Sequence, residues 1–144
     1  DYNVRQYTAG NINTLEETLE ELAEDIDNDV RLYVAWNRNT PKEALKILSE
    51  DEDEWVINEV AENENTPICI LVKLINNRNH IYSHRALDNL IDKSNHNLSK
   101  KILEELLSND DSYIIEKVLN KLETYEDDYE YLASFSRKKN KFDK

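Results

Sequence analysis

The sequence predicts an all-α fold, an α-solenoid of about five short two-helix units, and three observations carry that expectation. The string Val-x-x-x-Val-Ala-x-Asn-x-Asn-Thr-Pro begins at Val30 and returns at Val56, 26 residues on; gapless agreement over many columns marks tandem units. One Gly, two Pro and 39% apolar residues suit helices better than a turn-rich β fold. Within each copy the apolar residues recur at helical spacing. A chain of 144 residues is long enough for a core, so one domain is expected over 1–136, followed by a basic tail at 137–144.

The units are expected at about 4–29, 30–55, 56–81, 82–113 and 114–136. One step back from the second unit, Val4-Arg5, Ala9, Asn11 and Asn13-Thr14 fall in the same columns. The first helix of a unit runs from about Asp27 or Asp53 to the following Asn. Val30, Tyr33, Val34 and Asn37 share its inward face by i, i+3, i+4, i+7 spacing, and Ala35 and Ala61 allow a neighbouring helix to approach closely. The second helix starts at Thr-Pro: Thr40 as N-cap, Pro41 at the first helical position and Glu43 three residues past the cap form a capping box. Thr14 to Glu17 repeats the box without the proline. Thr66 and Pro67 keep the cap and lose the Glu. Leu45 and Leu48, with Leu19 and Leu22 before them, turn inward.

Neither helix is long enough to stand alone in water, so each unit buries its apolar face on its neighbours. Beyond residue 77 the pattern loosens: a step of 32 brings Ile114 onto Tyr82 and Leu106 onto Leu74, a longer fourth unit. Leu119, Tyr129 and Leu132 mark a degraded fifth.

The pattern Asp-x-Asp-x-x-Val-Arg-x-x-Val-Ala-x-Asn-x-Asn-Thr-Pro-x-x-x-Leu-x-x-Leu resembles the leucine-rich repeat variant family and, more loosely, HEAT repeats. The match is good over 1–77 and poor over 78–139. The resemblance implies a right-handed superhelix of paired helices, and an Asp laddered against an Arg six residues on, as in Asp25 and Arg31. Asp51 meets Ile57 at that spacing, so such a ladder stops there. The family has no common enzymatic activity. Its founding protein carries a cysteine-ligated iron–sulfur module, for which Cys69 alone is insufficient.

Net charge is −13, and residues 1–64 hold 18 Asp and Glu against 5 Lys and Arg, whereas residues 65–144 hold 13 of each. An acidic half repels nucleic acid and anionic membrane and favours basic partners; it also serves solubility alone. Glu16, Glu17, Glu20, Glu21 and Glu24 share the outer side of one helix, with like-charge i, i+4 pairs each costing roughly 0.2–0.5 kcal/mol. Either a solvated face or a surface for a basic protein follows. Leu32, Trp36 and Trp55 fall on the side of the first helices away from Val and Asn, with Asn58 and Glu62. They either pack between units or anchor a partner inside an acidic rim. Asn11, Asn37 and Asn63 lie on the inward face and Asn39 and Asn65 precede the caps, so a structural ladder of amides bonded to neighbouring backbone is expected.

His80 and His84 at i, i+4 lack the Glu of a zinc-protease helix, and no metal or other cofactor is expected. With no nucleophile elbow, no Walker loop and one Gly, no enzymatic activity is expected. A single cysteine, no apolar run near ~20 residues and no leader-like end point to a cytoplasmic protein. The absence of methionine suggests a trimmed chain or a piece of a longer one. The function expected is a non-catalytic protein–protein interaction scaffold whose acidic half, through Glu17, Glu20, Glu21, Leu32, Trp36, Trp55 and Glu62, binds a basic protein or peptide. The alternatives are an immunity or inhibitor protein neutralising a basic toxin or nuclease, and a HEAT-like nucleic-acid-processing enzyme acting through the irregular unit and the basic tail.

Overall fold

The computed structural model describes residues 1–77, 79–93 and 98–123, and all regular structure among them is helical. The chain divides into two compact units, Asp1–Asn95 and His96–Lys144.

In the first unit, helices α1 (Tyr2–Gly10), α3 (Asn28–Trp36), α5 (Glu54–Glu62) and α7 (His80–Lys93) start 26 residues apart. Each start is set by a short polar side chain that satisfies an orphan backbone donor. Asp1, Asp27, Asp53 and Asn79 accept from the N–H groups of Asn3, Asp29, Trp55 and Ile81. Two residues earlier, Asp25, Asp51 and Asn77 accept from the N–H groups of residues 27, 53 and 79. The Asp-x-Asp motif is thus two Asx turns in tandem. The helices α1, α3 and α5 end at Asn11, Asn37 and Asn63 in extended conformation, whose side-chain oxygens accept from the N–H two residues on.

The second helices are α2 (Glu16–Leu22), α4 (Lys42–Leu48) and α6 (Ile68–Ile75). Here the capping boxes expected at Thr14 and Thr40, and the cap expected at Thr66, do not form. The N-cap positions of α4 and α6 are Pro41 and Pro67, and that of α2 is Leu15, with no side-chain cap bond. The threonine hydroxyls point back instead and donate to Thr8 O (2.6 Å), Val34 O (2.5 Å) and Val60 O (2.6 Å). Thr40 and Thr66 are fully buried, so their hydroxyls bond carbonyls within reach, those near the end of the preceding helix.

The helices α1, α3, α5 and α7 pack side by side in chain order, and α2 packs on α4. The first helices run parallel and in register. Asn28 donates to Asp53 (2.5 Å) and Asn79 to Glu54 (2.9 Å) at their starts, and asparagines join their ends. The Val, Ala and Leu columns form the core, with Val30, Val34, Ala35, Leu45, Leu48, Val56, Val60 and Ala61 at 0% exposure. Tyr33 leaves the inward face expected for it and is exposed, because the ring reaches past the helix edge over Gly10.

The Asp–Arg ladder also differs from the expectation. Asp25 pairs through its carboxylate with Arg5 (2.6 and 3.2 Å), and Arg31 with Asp51 (2.7 and 3.0 Å), each 20 residues apart. Arg31 reaches Asp25 only at its main-chain oxygen, 2.8 Å. The guanidinium lies between the Asp turns at either end of its unit, and the later carboxylate lies in line with its fork.

In the second unit, α8 (Lys100–Leu106) and α9 (Ser112–Glu123) bury Leu103, Leu106, Ile114, Val118 and Leu122. Asn109 and Asp111 accept from the N–H groups of Asp111 and Tyr113, which repeats the tandem turn 32 residues after Asn77. Tyr129, Leu132 and the tail 137–144 lie outside the described residues. No helix among the described residues is long and apolar enough to cross a membrane.

Candidate interaction surface

The ladder of amides holds the first helices together from below the surface. Asn37 Nδ2 donates to Ala9 O (2.7 Å) and Asn11 O (2.9 Å). Asn63 Nδ2 donates to Ala35 O (2.7 Å) and Asn37 O (3.0 Å). Asn89 continues the series to Ala61 O (2.8 Å) and Asn63 O (3.0 Å), although its helix runs on to Lys93. Sequence reasoning missed Asn89 because it read the stretch beyond residue 77 as an irregular unit; a 26-residue step from Asn63 finds it. The six extra residues follow Asn89. Outside this inner row, Asn39 bonds Ile12 O, and Asn65 bonds Arg38 O (2.6 Å) and Thr40 O (3.3 Å). Asn11 was expected to be buried. It is exposed, and it serves the ladder through its carbonyl.

Two ionic contacts perturb groups around this frame. The hydrogen bond from Arg5 holds the Asp25 carboxyl below the usual carboxylate range, helped by the Asp27 N–H and the charge of Arg31 and opposed by burial. The bond from Lys73 (2.7 Å) lowers Glu50 likewise.

Of the residues expected to bind a partner, Glu17, Glu20 and Glu21 are exposed on α2. Trp36 is 60% and Trp55 69% exposed, Leu32 is half-buried, and Glu62 is exposed and ion-paired to Arg85. Asn58, expected on the outward side, is 4% exposed, and its Oδ1 and the Ser83 hydroxyl on the adjacent helix are buried without a hydrogen bond.

The structure does not gather these residues into one strip. Trp36 closes α3 and Trp55 opens α5. Glu62 is the α5 residue in the column of Trp36, and seven residues along a helix separate it from Trp55, about 10 Å. Trp36 and Glu62 meet in a hollow of about 130 Å³ that Ala35, Arg38, Glu59, Asn63 and Glu64 also line. Trp55 instead shares an open groove with Ile26, Asp27, Glu52, Asp53 and Glu54, where Ile26 is 94% exposed. The α2 glutamates line neither. Tyr33, Glu59 and Glu64 were missed, although they stand in the same 26-residue columns as Tyr7, Arg85 and Arg38. Burial pushes the Glu59 carboxyl upward, against the smaller effect of Arg85.

Beside the Trp36 hollow lies a wider groove, about 680 Å³, lined by Glu62, Glu64, Arg85, Asp88, Asn89, Asp92 and Lys93. Lys93 donates to Thr66 O at 2.5 Å, and its burial lowers the ammonium pKa. Among the described residues no three His, Cys, Asp or Glu side chains gather as a metal site requires. The side chain of His80, and His96, lie outside the described residues. Compared with known proteins, the chain matches no family model, no curated protein and no solved structure.

Proposed function

We propose that the protein is a cytoplasmic, non-catalytic interaction scaffold whose acidic N-terminal half binds a basic protein. Its framework is a right-handed α-solenoid of about five two-helix units. The observation that carries this reading is the exposure of Trp36 and Trp55, 60% and 69%, in columns that stacking does not use. Large aromatic side chains in water among carboxylates are costly to leave open and are the residues that interfaces bury. Of the residues 1–64, 18 are acidic and 5 basic, which steers a cationic partner and repels polyanions.

Capture from an extract of the native host at low and high salt tests the reading. Binding of one basic protein should weaken with salt. It should fall in a Trp36→Ala, Trp55→Ala variant and survive neutralisation of the cations from Arg137 to Lys141. Loss with the tail variant alone, or binding insensitive to salt, overturns it.

A further inference from the structure

The repeat separates what stacking requires from what it leaves free. Its Val, Ala and Thr columns are buried in the second and third units. Two columns change residue type from the second unit to the fourth: Tyr33, Glu59, Arg85 and Trp36, Glu62, Asp88, all at least partly exposed. They line the edge where α3 and α5 end. Tyr33 braces Trp36 edge-on, with ring centroids 6.4 Å apart and planes at 80°. A Cβ on Gly10 would stand 3.0 Å from the Tyr33 ring, so the glycine gives the ring its seat.

Two features make this edge seek a cation. Glu59 is half-buried, and the carboxylates of Glu59 and Glu64 make no hydrogen bond or ion pair among the described residues. Neither α3 nor α5 has a basic residue in its last turn, whereas α4, α6 and α7 carry Lys46, Lys73 and Lys93 there. Two parallel helices therefore point negative ends with no cation in their last turns at the hollow. Arg38 borders it without pairing to its carboxylates. At the opposite edge, around Trp55, the carboxylates are occupied. Asp27 and Asp53 cap helices, Glu54 accepts from Asn79, and Asp51 holds Arg31.

We propose that the Trp36 hollow receives an arginine side chain from an extended basic segment of the partner protein. The guanidinium stacks on Trp36 and bonds Glu59 and Glu64, and neighbouring cations of the segment run into the groove of Glu62, Asp88 and Asp92. Arginine fits better than lysine because its planar fork stacks on indole and meets two carboxylates at once. The proposal rests on the basic-partner reading and assigns its face.

The test titrates the full chain, labelled with ¹⁵N, with an oligoarginine peptide at low salt. The Trp36 indole N–H should shift and that of Trp55 should not. Affinity should fall about tenfold in Trp36→Ala and in Glu59→Gln, hold in Glu17→Gln, Glu20→Gln, Glu21→Gln, and be weaker for oligolysine. Glu59→Gln should also melt at a higher temperature than the parent, which rules out lost folding as the cause. If the α2 variant loses binding while Trp36→Ala and Glu59→Gln keep it, or if both indoles shift alike, the assigned face is wrong and the basic-partner reading stands. If no form binds oligoarginine, both fall.

Discussion

Asn37 shows what one amide does in this chain. At 1% exposure it must satisfy its hydrogen-bonding groups internally. It donates twice to α1 and accepts from Asn39 N–H. Replacing it with Ala removes a donor from the buried Ala9 O and one from Asn11 O, and a loss of roughly 1–3 kcal/mol is expected from the shift in denaturant midpoint. Asn37→Asp should be worse at neutral pH, since a carboxylate facing Ala9 O and Asn11 O offers no donor, and should recover part of the loss on acidification. Asn89→Ala should cost less than Asn37→Ala, because Asn89 is only half-buried. Thr40→Val keeps the shape and removes the bond to Val34 O, an expected loss of about 1 kcal/mol.

At the scale of elements, the first helices are joined at both ends, by asparagines at the finish and by Arg–Asp forks near the start. The Arg31 and Asp51 side chains are 11% and 6% exposed. Removing either partner strands the other charge in a poorly hydrated place. Arg31→Met or Asp51→Leu alone should each destabilise by about 3–5 kcal/mol, and the double variant by clearly less than the sum. A double-mutant cycle by chemical denaturation measures this; additive losses would show that the fork contributes little. The fork also places α3 against the turn before α5, the turn from which Trp55 emerges.

For the whole molecule, pH dependence follows from which carboxylates are held charged. Asp25, Glu50 and Asp53 have lowered pKa values. Their stabilisation is fully present above the unfolded carboxylate range, about pH 4, and is lost as pH falls through the lower folded values. Glu59 has the opposite sign. Its folded pKa is raised, so the folded state gains as pH falls through that value, and relief of the −13 net charge adds to the gain. Melting temperature should rise modestly from neutral toward about pH 5 and collapse below about pH 4. In Glu59→Gln the rise should be smaller and the neutral-pH melting temperature higher. A profile that falls steadily from neutral pH, with no difference for Glu59→Gln, would contradict this assignment.

The sequence by itself determined the helical architecture and its 26-residue spacing, because a repeat must place the same residue types wherever the same backbone interface recurs. Asp27, Asp53, Asn37 and Asn63 could be read directly, since caps and turns depend on residues two or three apart. Only the tertiary structure decided what threonine does beside proline, which Asp each Arg chooses, and where Tyr33 turns. Those outcomes depend on groups 6, 20 or more residues away, whose approach no local pattern encodes. The candidate site divides the same way. The columns of Trp36 and Trp55 allowed either packing between units or exposure, and the structure leaves both exposed. Their separation to opposite ends of parallel helices, and the meeting of Trp36 with Glu59 and Glu64, arose only when α5 came to lie in register beside α3.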